Sequence, residues 1–174
     1  MKIETSILES ALGRPHNSPE IQDLFSALGI SEKDLKPDPL DKDGRRIFED
    51  AETLGIQLEF EDEGISGVAP YHVIGEGPWI LDQMFLLSSL DSGKEYSGEI
   101  PCGLNFKMSR EQVRETLGAP TSETGVDDVD AWNMTSFRLV INYEISGGDI
   151  RYIGLQLFED RQIISCPPTS TFSG

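Results

Sequence analysis

The stretch Met108-Ser109-Arg110-Glu111-Gln112-Val113-Arg114-Glu115-Thr116-Leu117-Gly118-Ala119-Pro120 specifies a short helix together with both of its ends. Ser109 can accept a hydrogen bond from a free amide of the first turn, and Gln112 can reach back to the Ser109 amide, which completes a capping box. Val113 and Leu117 lie four residues apart and predict one buried face. Gly118 suits the left-handed conformation that often ends a helix, and the proline that follows prevents continuation. The stretch therefore predicts a helix that packs through its Val113 side.

Short helices followed by alternating strands are predicted on both sides of this stretch. Two earlier helices are expected, from about Ser6 to Leu12 and from Pro19, capped by Ser18, to Leu28 before Gly29. Strands are predicted at Arg46–Glu49, Ile56–Glu61, Trp79–Leu87, Phe137–Tyr143 and Ile150–Leu157, the last two as an antiparallel hairpin, with an acidic loop over Ser122–Asp130. This pattern predicts an α+β fold, in which antiparallel sheets carry short helices on one face.

An internal similarity suggests that one unit occurs twice. Leu12-Gly13-Arg14-Pro15 and Leu117-Gly118-Ala119-Pro120 lie 105 residues apart, and each closes a predicted helix ahead of strands. Residues 49–60 and 132–143 correspond loosely in the same way. We therefore expect two diverged copies, in an N-terminal module over 1–90 and a C-terminal module over 96–165, followed by a flexible tail over 166–174. A chance match between two short helix ends is the alternative.

Acidic residues dominate the charge of the chain. It has 31 Asp and Glu against 14 Lys and Arg, a formal net charge of −17. Such a field repels nucleic acid and anionic membranes and favours a basic protein partner, although simple solvation is the alternative. The two basic residues of the central helix, Arg110 and Arg114, are expected to pair with Glu111, Glu115 or their neighbours. Candidate partner-binding residues are Glu59, Glu61, Asp62, Glu63, Asp127, Asp128, Asp130 and Trp132, the last of which core packing explains slightly better.

No catalytic, metal-binding or cofactor-binding pattern is found. The only histidines, His16 and His72, have no Cys or His at metal-ligand spacing, and His16 is expected to face solvent or to form hydrogen bonds. Cys102 and Cys166 are expected to be thiols, with Cys102 packed at a turn. No apolar run approaches the roughly 20 residues that a membrane helix needs, and the N-terminus lacks a secretory signal. We therefore expect a cytoplasmic protein with no cofactor.

The stretch Gly103–Pro120 resembles the signature G-M-[ST]-x-x-x-V-x-x-x-L-G-x-P of the small barrel-assembly lipoprotein and of β-lactamase inhibitor protein-like folds. The resemblance implies helices packed on one face of an antiparallel sheet, with two such units in tandem in the inhibitor. The sequence match is strong over one helix and its flanks, and elsewhere only the order of helices and strands agrees. The chain departs from the lipoprotein pattern because it has no lipoprotein-type cysteine near its start.

The longer layout resembles bacterial proteins encoded beside secreted polymorphic toxins, through Leu54-Gly55-Ile56 and Tyr96-Ser97-Gly98-Glu99-Ile100-Pro101-Cys102-Gly103-Leu104. The resemblance implies a cognate immunity protein, which binds and blocks one toxin and has no catalytic residues. An acidic inhibitor of a basic toxin, for which a nuclease is one candidate, fits both the resemblance and the charge. Two alternatives stay open: an adaptor or chaperone for a secreted effector or a secretion component, and a small hydrolase. The oligomeric state is not predicted.

Overall fold

Helices precede strands in each half of the chain, as a computed structural model shows for residues 3–50, 52–65, 73–123, 128–145 and 148–157. The first half contains α1 (Thr5–Ala11), α2 (Pro19–Leu28), β1 (Lys36–Pro37), β2 (Arg45–Asp50), β3 (Ile56–Asp62) and β4 (Trp79–Leu87). The second half contains α3 (Ser89–Ser92), α4 (Arg110–Leu117), β5 (Ser122–Glu123), β6 (Val129–Asn133), β7 (Arg138–Tyr143) and β8 (Ile150–Gln156). Short 3₁₀ turns lie at Glu32–Asp34 and Pro101–Gly103.

The eight strands of the described residues form one antiparallel sheet in the order β1-β2-β3-β4-β8-β7-β6-β5. Each half supplies a meander, and the two meanders join where β4 pairs with β8, from Gln83 opposite Gln156 to Leu87 opposite Tyr152. The order is symmetric about this junction, so the two predicted modules share one sheet. The predicted α+β class is confirmed. Descent of both halves from one duplicated unit remains a prediction.

One hydrophobic core lies between the sheet and the helices. Along β3, Ile56, Leu58 and Phe60 are fully buried, whereas the residues between them are half-buried. The same core contains Leu24 of α2 and Val113 of α4, so these helices pack on one face of the sheet. This arrangement follows from the alternation of apolar and polar residues, because successive side chains of a strand point to opposite faces. We call the face that points away from the helices the open face.

The central helix α4 forms as its sequence predicts. The Gln112 amide donates to Ser109 Oγ at 3.3 Å, and the Ser109 amide donates to Gln112 Oε1 at 2.9 Å, which completes the capping box. Val113 and Leu117 are buried. Gly118 follows the helix with φ +83° and ψ −170°, which differs from the predicted left-handed helical conformation but is also one that L side chains rarely adopt. All the signals that determine this helix lie within about ten residues of one another.

Most strands were predicted within one or two residues, and β4 has the predicted bounds. The predicted hairpin of β7 and β8 is confirmed, with Val140 opposite Gly154. The predicted acidic loop over Ser122–Asp130 is wrong at both ends, because its first two residues form β5 and Val129 begins β6. Asp130 lies inside a buried strand, which becomes possible only when distant basic groups neutralise its charge.

The expectation that Cys102 is a packed thiol is wrong, because Cys102 is disulfide-bonded. Cys166 and the predicted flexible tail over 166–174 lie outside the described residues. In the part of the chain that the structure describes, no helix combines the length and apolarity needed to cross a membrane.

Candidate functional site

The two predicted groups of acidic residues lie apart on the sheet. Glu59 and Glu61 lie on β3 and point to the open face, whereas Asp130 and Trp132 on β6 are buried on the helix side. Four strand spacings separate β3 from β6, which amounts to about 19 Å. Glu63 and Asp128 are half-buried, and Asp127 lies outside the described residues. The structure therefore does not combine the two groups into one acidic surface.

Asp62, at the end of β3, is fully buried and organises the loop that follows. Its Oδ1 accepts a hydrogen bond from the Gly64 amide at 2.8 Å. Its Oδ2 accepts from the amides of Gly75 and Gly77 at 3.1 and 2.9 Å. The side chain thus satisfies backbone donors of its own chain, and the expectation that it contributes to an exposed binding surface is wrong.

Asp130 connects β6 to α4 through two arginines. Arg110 donates to both of its carboxylate oxygens, at 3.0 and 2.7 Å, and Arg114 does the same at 2.8 and 2.7 Å. Burial favours a higher pKa for Asp130, but these hydrogen bonds prevail and lower the pKa to about 2. Only 3% of the side chain is exposed. Asp130 therefore serves the fold. The salt bridges of Arg110 and Arg114 described here run to Asp130 and not to Glu111 or Glu115, although Arg114 also interacts electrostatically with Glu111.

Trp132 is part of the core, as the alternative interpretation predicted. Its side chain is fully buried, and its indole N–H donates to the Gly118 carbonyl at 3.1 Å. This bond satisfies a carbonyl just beyond the end of α4, where helices leave such groups without a partner in the helix. Trp132 is therefore not an exposed anchor for a binding partner.

An ionic cluster on the open face holds Glu59 and Glu61, two of the predicted residues that remain partly accessible. Arg45, at the start of β2, donates to Glu59 Oε2 at 3.0 Å, to Glu61 Oε1 at 3.4 Å and to Asp82 Oδ2 at 2.9 Å. We call these four residues the Arg45 cluster. Between 16% and 24% of each side chain is exposed. One guanidinium group thus faces three carboxyl groups at the surface of the sheet.

Neutral amides extend the cluster across β4 to β8. Gln57 and Gln83 donate to the two oxygens of Glu59, at 2.7 and 3.2 Å, and Gln156 donates to Gln83 Oε1 at 2.8 Å. The first bond lies within β3, and the other two link β4 to β3 and β8 to β4, so together they fix the side chains in position without adding positive charge. The amides that bond to the cluster therefore leave its surplus of carboxyl groups without further positive charge.

A β-bulge brings Asp82 into the cluster. Glu59 pairs with Gln83 and Phe60 with Leu81, so Asp82 is an extra residue on β4. Asp82 and Gln83 are both half-buried, whereas Leu81 and Met84 on either side of them are fully buried. A bulge redirects side chains in this way. The sequence carries a signal for it, since two consecutive polar residues interrupt the alternation of β4, but sequence reasoning missed both Asp82 and Arg45.

Asp82 is the most strongly perturbed member of the cluster. Burial raises the pKa of its carboxyl group to about 6, against the attraction of Arg45 and with a smaller contribution from Glu61 and Glu59. Its Oδ1 is buried and accepts no hydrogen bond among the described residues. A buried acceptor without a donor is costly. Asp82 would therefore be stabilised by an additional hydrogen-bond donor or positive charge.

An aromatic pair lies farther along the open face. Phe85 and Tyr152 pack edge to face with ring centroids 5.4 Å apart. The Phe85 ring covers Gly154 of β8, where an added Cβ would lie 3.4 Å from the ring. Phe85 and Tyr152 are half-buried. The open face thus has an acidic end and an aromatic pair, whereas Ala131 and Val140 farther along it are buried.

The described residues provide no clear alternative site. No group of three or more His, Cys, Asp or Glu among them is arranged to hold a metal ion. His16 accepts from the Trp79 amide at 2.9 Å through Nδ1 and lies 3.3 Å from Glu32 through Nε2, so its expected hydrogen bonding is confirmed. His72 lies outside the described residues. A shallow cleft of about 220 Å³ is lined by Ser88, Ser89, Leu90, Glu95, Phe106, Lys107, Asp149 and Ile150, without any member of the Arg45 cluster.

The open face, with the Arg45 cluster at one end and the Phe85–Tyr152 pair beside it, is therefore the candidate functional surface. It offers carboxyl groups and aromatic rings that are held in place by their own chain. No protein-family model, curated protein or solved structure matches this chain.

Proposed function

We propose that this chain is a non-catalytic binding protein, and specifically an immunity protein that neutralises a cognate basic toxin by covering its active site. The observation that carries the proposal is the open face, which helices leave uncovered in the described residues and on which three carboxyl groups surround one arginine. Placing partly desolvated carboxyl groups together costs free energy that one arginine offsets only in part, and a basic partner would offset more of it.

The net charge of the whole chain supports the same proposal. A formal charge of −17 on 174 residues attracts a basic protein over distances of about a Debye length and accelerates the encounter. The charge also disfavours nucleic acid and anionic membranes as ligands. A toxin that acts on nucleic acid has a basic active site, so an acidic inhibitor would be complementary to it.

Binding to the product of the neighbouring reading frame tests the proposal. We expect a one-to-one complex in isothermal titration calorimetry, with an affinity that falls about tenfold or more between 50 and 300 mM NaCl. Co-expression of the chain should restore growth to cells that produce the toxin. Absence of both a complex and protection would contradict the proposal. A complex without protection would favour the adaptor or chaperone instead.

The compartment is part of the proposal and has a test of its own. The sequence predicts the cytoplasm, but the disulfide of Cys102 is typical of an oxidising compartment. Rapid alkylation of intact cells with N-ethylmaleimide, followed by mass spectrometry, measures the fraction of oxidised Cys102. A fully reduced protein supports a cytoplasmic inhibitor, whereas a fully oxidised one supports an inhibitor that acts in the periplasm.

A further inference from the structure

We infer that the open face is the docking surface and that an arginine of a basic protein segment binds beside the Arg45 cluster, against the Phe85–Tyr152 pair. This inference rests on the proposed function and adds to it the surface, the contacting residues and the chemistry of the partner. Two features of the surface support it: its unbalanced charge, and the position of its aromatic rings.

The three carboxyl groups of the Arg45 cluster outnumber its one guanidinium group. Arg45 provides one positive charge to these carboxyl groups, and the other described side chains that bond to Glu59 are neutral amides. The next cation toward β8 along this face, Arg138, lies opposite Gln156, two strands away from β4. Asp82 Oδ1 also lacks a hydrogen-bond donor among the described residues. Because Oδ1 is buried, a donor from another protein would meet the cluster at its partly exposed carboxylate oxygens, where it would offset the surplus of negative charge.

The aromatic pair favours arginine over lysine. Phe85 lies three residues from Asp82 on the same strand, a separation of about 10 Å along β4. Guanidinium groups stack on aromatic rings and bond to carboxylates with two parallel N–H groups, whereas an ammonium group is compact and strongly hydrated. A segment that carries arginines could contact the acidic end and the rings together.

A second copy of this chain is a poor occupant of the same surface. Two copies would each bring a formal charge of −17, and symmetric docking would place two Arg45 clusters, each with more carboxyl groups than arginines, on facing surfaces. Like charges that meet across an interface cost several kcal/mol. The surface is therefore complementary to a basic partner and not to itself.

Titration of the full-length chain with acetyl-tetra-arginine amide tests the inference by NMR at 50 mM NaCl. We expect amide shifts concentrated at residues 57–61, 82–85 and 152–156, and weaker binding of the matching tetra-lysine peptide, by about twofold or more. The double variant Glu59→Gln/Asp82→Asn should bind tetra-arginine about fivefold or more weakly. The matched control Asp23→Asn/Glu115→Gln removes two exposed charges from α2 and α4 and should change the affinity less than twofold.

The double variant is tested for folding by its amide NMR spectrum, in which poor dispersion would indicate misfolding. In that case a second variant still tests the inference. Gln156→Lys adds a positive charge to the open face without removing any partner of Arg45, and it should also weaken binding about fivefold. Shifts spread evenly over both faces of the sheet would overturn the inference. So would an equal loss of affinity in the control pair, or equal binding of the lysine peptide.

The same variants separate this inference from the proposed function. If the toxin binds the Glu59→Gln/Asp82→Asn and control variants equally well, the docking surface is wrong and the proposed function stands. If no basic protein from the neighbouring frame binds even the unmodified chain, the proposed function itself fails.

Discussion

Replacing Asp130 by Asn is expected to weaken the attachment of α4 to the sheet. The substitution removes one buried negative charge and leaves Arg110 and Arg114 without the carboxylate to which they make four hydrogen bonds. The pKa of Asp130 is lowered from 3.8 to about 2. At about 1.4 kcal/mol per pH unit, this difference corresponds to roughly 2.5 kcal/mol of folding free energy. Because 45% of the Arg114 side chain and 24% of Arg110 are exposed, water screens part of this. We expect a loss of about 1–2 kcal/mol at pH 7.

The pH dependence of this loss provides a sharper measurement. A carboxyl group whose pKa is lowered by folding stabilises the protein fully above its ordinary pKa of 3.8 and ceases to do so as the pH falls through its folded value of about 2. Urea unfolding of both proteins should therefore show a difference that is constant from pH 7 to pH 5. The difference should shrink by roughly half at pH 3, where Asp130 of the unfolded chain is already protonated.

Asp128→Asn is the matched control for Asp130→Asn. Asp128 is half-buried, lies two residues away and carries the same charge, so its replacement corrects for the general relief of repulsion in an acidic chain. We expect the control to change stability by less than about 0.5 kcal/mol. Equal stability of the two variants at pH 7 would refute the assignment of Asp130 to a structural connection. A difference from wild type that does not change with pH would refute the electrostatic explanation.

Three further substitutions test other parts of the structure. Asp82→Asn should raise the free energy of unfolding by about 1 kcal/mol at pH 7, because burial raises the pKa of Asp82 to about 6. Wild type should lose stability as the pH rises from about 4 to 6, whereas the variant should not. Urea midpoints of the two proteins that change in parallel over this range would contradict the prediction. Trp132→Phe removes the bond to Gly118 and part of the core and should lower the Tm by roughly 4–8 °C in calorimetry; an unchanged Tm would argue against a structural role. Asp62→Ala leaves three amides without their acceptor, so hydrogen exchange at Gly75 should accelerate at least tenfold while exchange in α4 stays constant.

The elements predicted well are those whose signals are local. Ser109, Gln112 and Gly118 specify α4 within ten residues, and the alternation of β3 identifies its buried face without reference to other strands. The two-residue strands β1 and β5 carry no periodic signal, because a period of two cannot be recognised in two residues. Local chemistry therefore explains both the correct predictions and the missing edge strands.

The candidate surface depends on contacts between distant parts of the sequence. Arg45 meets Asp82 over 37 residues, and Arg110 meets Asp130 over 20. The sequence shows many acidic residues but not which of them a basic side chain neutralises, so buried Asp130 and half-buried Glu59 look alike. Only the pairing of strands and the bulge at Asp82 distinguish them. For this reason the acidic candidates were predicted as one class, whereas the structure divides them into structural and accessible groups.

The lengths of the outermost strands limit how another molecule could attach. Among the described residues, β1 and β5 end the sheet with two residues each, and β1 contains Pro37, which has no amide hydrogen to donate. Short borders of this kind give an extended chain little backbone to pair with, which also protects against fibril-like association. Recognition by this protein should consequently depend on side chains, and point substitutions should weaken it. Binding by addition of a further strand would instead depend on backbone hydrogen bonds and would tolerate changes in side-chain identity.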